Sequence, residues 1–445
     1  MNSSKERKYL RFILITLAWL VIWEVASLAV SNSILLVGPA KVLFTLVRKW
    51  VTAGFWMSVG MSTLRIATGF VIGLVAGVVL AIMAYKIPVV GEFLSPPVAF
   101  MKAAPVASFV VLFLIWWHSD VLSTAIAICV VFPQVYVSML QGLKSTDKGL
   151  LEMAQVFKVP WINKVNYIYR PAVKPYMDGA MKIAVSMAWK SGVAAEVIGT
   201  PDMTIGESLY MSKIYLDTAG VLAWTLQIIL ISVVCEKLVL WLYECYCRWE
   251  PGCARPSSIN GYTGNDEAVG FENVSFLYAG MGNSSPILNE YTARFEAGKE
   301  NKLSSPSGSG KTTILRLIAG LEKPASGIIT GNGGQVSMLF QDDRLCEEVS
   351  AVKNVEIVCG DEKVAKAILL KLLDVEDIHR PVSELSGGQR RRVAIARACS
   401  IDANLLLLDE PYNGLDEENR LKVSHFIEEY AKDKIVIMAS HIAEA

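Results

Sequence analysis

The chain has 445 residues, 53% of them hydrophobic and only 19% charged. That excludes a globally disordered protein, because so much apolar side chain is available for burial. Lys+Arg and Asp+Glu both number 42, so no charge excess points to nucleic acid, and eight scattered cysteines do not make a disulfide framework. Apolar residues crowd into 1–248, which reads as a membrane half. Residues 249–268, WEPGCARPSSINGYTGNDEA, have linker composition, and 269–445 read as a soluble α/β half.

A helix needs about 20 largely apolar residues to cross the hydrocarbon core. Six segments are expected to do so: 9–30, 61–84, 93–117, 121–143, 177–199 and 219–243. The first is too long for a signal peptide and has no clear small-residue cleavage site. The third holds Pro96, Pro97 and Pro105 and is expected to be broken or to start late. Lys5, Arg7, Lys8 and Arg11 place the N-terminus in the cytoplasm. The loop between spans four and five is then cytoplasmic too, and it carries Lys144, Lys148, Lys158, Lys164, Arg170 and Lys174. Lys41, Arg48 and Lys49, in the first outside loop, are an exception. The chain re-enters the cytoplasm before the linker, so the soluble half lies on the inner side of the cytoplasmic membrane.

Charges inside spans are costly and often functional. Lys190 and Glu196 are six apart and do not share a helix face. Each is expected to find a partner on another helix, as an ion pair or along a translocation path. Arg65 is expected to snorkel toward the outer surface.

Residues 145–176 form an unusually long loop containing GLLEMAQVF and then VPWINKVNYIYRPAV. The loop resembles the coupling loop of type I ABC importer permeases. The matching positions are Glu152, Met153 and Ala154, then Ile168 and Pro171; Lys158 stands where Gly is usual and Arg170 where Leu is usual. Two flanking stretches, MKAAPVASFVVLFLIWW at 101–117 and AWKSGVAAEVIG at 188–199, resemble permeases of the nitrate, taurine and alkanesulfonate importer group. The resemblance implies an all-α transmembrane helix bundle of about six spans whose loop docks on an ATP-binding domain.

In the soluble half, 305–312 read SPSGSGKT ahead of a helical run. The pattern is a P-loop in which Ser305 replaces the leading Gly. Such a loop wraps backbone N–H groups around phosphate at a helix N-terminus. Ser307, Gly308, Ser309, Gly310, Lys311, Thr312 and Thr313 are the candidate nucleotide contacts. Lys311 would meet the β/γ phosphates and Thr312 would offer a hydroxyl to Mg²⁺. Leu405–Leu408 is an apolar run suited to a buried parallel strand, followed by Asp409 as a Mg²⁺ ligand and Glu410 as general base.

Between these motifs, 385–389 read LSGGQ, followed by RRRVAIARA. LSGGQ resembles the signature of ABC ATPases, which implies an α/β P-loop ABC ATPase domain. The resemblance implies that Ser386, Gly387, Gly388 and Gln389 face the γ-phosphate held by a partner subunit. Arg390, Arg391 and Arg392 are expected on the solvated face of that helix. The same resemblance assigns Tyr278 to stacking on adenine and Gln341 to Mg²⁺ and water. It assigns Asp416 of NGLD to the D-loop and His441 to the γ-phosphate. Two further departures are visible. The strand before the P-loop, KENKLS, is polar where burial on both faces is usual, and the sequence ends four residues after His441.

Together the halves imply an ABC importer subunit with permease and ATPase on one polypeptide, using ATP and Mg²⁺. A homodimer or a related partner subunit, an extracytoplasmic solute-binding protein and surrounding lipid complete the expectation. Relatives of this type carry small organic or inorganic anions such as sulfonates, taurine or nitrate, or thiamine-precursor pyrimidines. The alternatives are an exporter-type half-transporter and an ATPase-impaired nucleotide-binding regulator.

Overall fold

The computed structural model describes residues 2–255, 268–278, 286–303, 308–331, 334–432 and 434–440. These fall into two compact units that are discontinuous in sequence. One comprises Met1–Ser145 and Val173–Trp249, the other Thr146–Ala172 and Glu250–Ala445.

The first unit is helical. It holds α1 (Asn2–Val30), α2 (Pro39–Trp50), α3 (Ala53–Lys86), α4 (Pro88–Ala103), α5 (Val106–Trp116) and α6 (Leu122–Lys144). After the loop bearing α7 (Lys148–Val156) and α8 (Trp161–Lys164) come α9 (Arg170–Gly199), α10 (Ile205–Ile214) and α11 (Thr218–Arg248). Four helical segments among the described residues are long and apolar enough to cross a membrane: Ile13–Val30, Ala53–Lys86, Ser119–Lys144 and Thr218–Arg248. The expected third span is not one straight helix. It is the pair α4 and α5, bent by 106°. The break falls at Ala104, held extended at φ −73°, ψ 136° by the following Pro105, whereas Pro96 and Pro97 stay inside α4. α9 is 30 residues long but carries Asp178, Lys182, Lys190 and Glu196, and it does not join the apolar set.

Small residues bring α3 and α6 together. A Cβ added at Gly69, Gly73 or Gly77 would lie 2.4 Å from the Thr124 carbonyl, 3.0 Å from Val131 Cβ or 2.9 Å from Val135 Cβ. That G-x-x-x-G-x-x-x-G stripe lets the two backbones approach as close-packed membrane helices do.

Glu196 is fully buried, and its partners are neutral. Ser62 of α3 donates to Glu196 Oε2 at 2.6 Å and the Gly206 N–H of α10 at 3.3 Å, while Ile205 N–H donates to Ser62 Oγ. These bonds satisfy N–H groups that the start of α10 cannot pair internally. Arg65 pairs with the exposed Asp120 at 3.0 Å.

The second unit contains two sheets. β1 (Ala268–Phe276) lies between β2 (Leu288–Glu296) and β4 (Ser326–Thr330), antiparallel to both. The other sheet is parallel, in the order β3 (Glu300–Leu303), β7 (Ile435–Ala439), β6 (Leu405–Asp409), β5 (Val336–Leu339). All five residues of β6 are buried, as an inner parallel strand requires. β3 is at the sheet edge, which accounts for its polar composition. Asn301 donates from its amide to Val436 O at 3.0 Å and to Glu296 O at 3.0 Å. The helices are α12 (Lys311–Ile318), α13 (Ala351–Cys359), α14 (Glu362–Leu369), α15 (Gly387–Ala398) and α16 (Glu417–Tyr430).

Candidate functional site

Parallel strands present their carboxyl ends on one side, where α/β proteins bind ligands. Here Leu303 and Asp409 are both in register with Ala439, and Leu339 with Leu408. The segments leaving these four ends are the P-loop, the Gln341 segment, Glu410 and Ser440. Ser305, Ser307 and His441 lie outside the described residues. Gly308 and Gly310 have φ of +83° and +89°, a backbone region that side chains disfavour, and Gly310 caps α12. Lys311 and Thr313 are buried, while Ser309 and Thr312 are exposed at the helix start. The Tyr278 hydroxyl lies 3.4 Å from Thr313 Oγ1, and its ring packs edge-on against Phe276. α12 packs against β6 and β7, which sets the P-loop helix beside the strand bearing Asp409.

Asp409 is 2% exposed. Glu410 follows it at φ +50°, outside the range a non-glycine residue prefers. Its N–H donates to Ala439 O at 2.9 Å, and Asn413 donates to its carboxylate at 3.4 Å. Backbone held this way costs about 1–3 kcal/mol and persists only where surroundings fix it. Arg391 is the main fixing group. Its guanidinium donates to the carbonyls of Glu410 at 2.7 Å, Asp409 at 2.8 Å, Phe340 at 2.8 Å and Gln341 at 3.2 Å, and pairs with Asp343 at 3.0 Å.

The expectation of a solvated arginine face is therefore overturned for Arg391, which is 4% exposed. Arg392 turns inward too, to Leu372 O and Asn419, and only Arg390 meets the surface, beside Glu347. Carbonyl groups at the strand ends supply acceptors that a sequence cannot display. Ser386 and Gln389 form a capping box at the start of α15: Gln389 N–H donates to Ser386 Oγ and Ser386 N–H to Gln389 Oε1. Ser386 and Gly387 stay exposed, and Gly388 faces the Gly414 carbonyl. Asp416 is exposed and caps α16 through Asn419 N–H at 2.9 Å.

The loop 146–172 belongs to this unit. Met153, Ala154, Phe157, Val159, Tyr167 and Ile168 are buried in the same core as β1, β5 and β6. Glu152 is held at 2.8 Å by both terminal nitrogens of Arg316 on α12 and at 2.7 Å by Arg344, three residues after Gln341. The Arg316 guanidinium, seconded by Arg344, keeps the Glu152 carboxyl below the usual carboxylate range despite partial burial. Helix α7 closes with Val159 N–H on Ala154 O and Lys158 N–H on Gln155 O. Lys158 there has φ +50°, the left-handed position that favours glycine. A cleft of about 940 Å³ is lined by Glu152, Arg316, Gln341, Arg344, Gly387 and Asn413. It joins the loop to the Gln341 and LSGGQ segments, beside rather than over 308–313.

Comparison with known proteins agrees with both halves. Residues 10–246 match the family described as binding-protein-dependent transport system inner membrane component, and 288–413 match the family described as ABC transporter. An aliphatic sulfonates import ATP-binding protein of Rhodococcus jostii is 36% identical over 168 residues, 36% of this chain and 68% of that protein. A taurine import ATP-binding protein of Yersinia pestis is 34% identical over 189 residues, 39% of this chain and 74% of that protein. Among solved structures, a dimeric ATP-binding cassette in a post-hydrolysis state bound to ADP and Pi aligns at TM-score 0.37 and 27% identity, over 39% of this chain and 88% of that one.

Proposed function

Since the chain belongs to the ABC transporters, joining a binding-protein-dependent inner membrane component and an ATP-hydrolysing domain of importer type in one polypeptide, we propose that it drives uptake of a small organic anion, a sulfonate or taurine, across the cytoplasmic membrane. Support for the substrate class comes from the relatives' names and from the resemblance of 101–117 and 188–199 to permeases of the nitrate, taurine and alkanesulfonate importer group. The reading extends to a small inorganic anion such as nitrate.

In this reading Ser307, Gly308, Ser309, Gly310, Lys311, Thr312 and Thr313 cradle the phosphates of ATP, and Tyr278 packs on adenine. Ser386, Gly387, Gly388 and Gln389 of a second copy, with Asp416 beside them, close over the γ-phosphate. Glu410 takes a proton from the attacking water, Gln341 orients that water, and His441 contacts the γ-phosphate. Thr312, Gln341 and Asp409 form an all-oxygen donor set suited to Mg²⁺. Among the described residues no cluster of three or more His, Cys, Asp or Glu forms a protein-only cage. That pattern fits an ion completed by nucleotide phosphates. When bound, Mg²⁺ neutralises charge on the phosphate oxygens. An extracytoplasmic solute-binding protein delivers the anion to the outer face.

The observation that carries the reading is Glu152 bridging α12 and the Gln341 segment. A loop charge tied to both can sense closure of the nucleotide site and pass it on. The test is anion uptake and ATP hydrolysis in proteoliposomes with the cognate binding protein. Glu410→Gln should lose hydrolysis by about 10²-fold or more while still binding ATP. Wild-type turnover no faster than Glu410→Gln would instead favour the ATPase-impaired regulator.

A further inference from the structure

The linker does more than join two halves in sequence. Its first residues are woven into the junction between the loop and the ATP-binding core. Asn163 is fully buried, and its side chain accepts from Ala254 N–H at 2.9 Å and donates to Ala254 O at 2.9 Å. The same amide also donates to Ile357 O of α13 at 3.2 Å. One loop side chain thus holds both the linker backbone and an ATPase helix. Tyr167, also buried, donates its hydroxyl to Pro251 O. From the ATPase side, Glu356 accepts from Cys253 N–H at 3.4 Å, and Asp361 pairs with Arg255 at 3.0 Å. All three segments, loop, linker and α13, are therefore bonded to one another.

We propose that this strap commits each ATP-binding domain to the cytoplasmic loop of its own polypeptide, so that a two-copy transporter runs two junctions in cis. The inference rests on the loop being the element that transmits closure. Its physical basis is chain length and satisfaction of buried groups. Only Trp249 and Glu250 separate the end of α11 from Pro251. That leaves about 11 Å of extended chain. If an ATP-binding domain took up the other copy's loop, it would draw Pro251 and Ala254 away from its own Tyr167 and Asn163. Buried polar groups left unpaired in that way are costly.

The test uses two differently tagged full-length copies, co-expressed and purified as mixed dimers through both tags, in proteoliposomes. Glu152→Arg and Arg316→Glu invert the central ion pair. Each single substitution, present in both copies, should lower uptake at least tenfold. With both reversals in one copy and none in the other, the central pair is matched in every cis junction, and uptake should exceed that of either single substitution even though Arg344 and Glu322 are unchanged. With one reversal in each copy, cis junctions are all mismatched and uptake should stay low. The opposite pattern, activity only when the reversals are on separate copies, overturns the cis proposal. If neither single reversal alters uptake, the transmitting role of the loop fails instead, which is a distinct result.

A second measurement needs no reversed charge. The Gln155 side-chain amide lies 3.4 Å from Gly320 O on the exposed surface. In a Cys245→Ser background, Gln155→Cys and Gly320→Cys are treated with a short thiol crosslinker. In one chain they should react without gain in mass. Divided between the two tagged copies they should give no covalent dimer, and a dimer band would overturn the proposal.

Discussion

Each unit holds a glutamate, fully buried at Glu196 and part-buried at Glu152, and the two are bonded by opposite means. In the membrane unit Glu196 receives a hydroxyl from Ser62 and a backbone N–H from Gly206, all neutral donors. In the ATP-binding unit Glu152 is gripped by two guanidinium groups, from α12 and from the segment after Gln341. Neutral donors fixed by helix backbones make a static anchor. Charged side chains from two segments make a contact whose strength changes when either segment moves. At these two glutamates the fold uses uncharged donors in the membrane unit and charged ones beside the Gln341 segment.

Substitutions at three positions break or sharpen that contrast. The largest effect is expected from Arg391→Ala, which removes the buried charge binding the Gln341 segment to Asp409 and Glu410. Loss of about 3–5 kcal/mol of stability should appear as a lower thermal midpoint, with hydrolysis falling as the left-handed Glu410 relaxes. Arg391→Lys should not restore it, because one ammonium cannot reach carbonyls on both sides. Next is Glu196. Glu196→Ala leaves the Ser62 hydroxyl and the Gly206 N–H without their acceptor, and should cost about 2–4 kcal/mol in detergent denaturation. Glu196→Gln retains an acceptor oxygen and should cost less than half as much. Equal loss in the two variants would mean that the carboxylate charge matters there too, and the contrast would collapse. The smallest effect is a gain. Lys158→Gly should stabilise the ATP-binding unit by about 0.5–1 kcal/mol, because the α7 cap no longer holds a side chain at φ +50°. An unchanged midpoint would show that the Lys158 conformation carries no strain.

Local patterns were legible in the sequence, and long-range satisfaction was not. The run 405–410 reads as an inner strand ending in two carboxylates because a strand buried on both faces must be apolar throughout, and β6 is that strand. Glu152 could be singled out by its place in the loop motif. Its arginine partners lie 164 and 192 residues away, with nothing local to announce them. Arg391 was misplaced because three adjacent arginines read as a solvated run, while its acceptors are backbone carbonyls that every sequence possesses. The glycines at 69, 73 and 77 did carry a readable signal, a small residue every fourth position in an apolar helix, which counting spans alone passes over. The polar β3 looked anomalous only on the assumption of a central place; at the rim its composition is ordinary.

That rim position has a consequence for how the domain assembles. Among the described residues β3 pairs with β7 alone, and a strand bonded on one side opens more readily than one bonded on both. Gly308 and Gly310 follow this edge strand in the sequence. Nucleotide should act as its missing brace, slowing amide exchange across 300–303 more than in β6, which is already clamped on both sides.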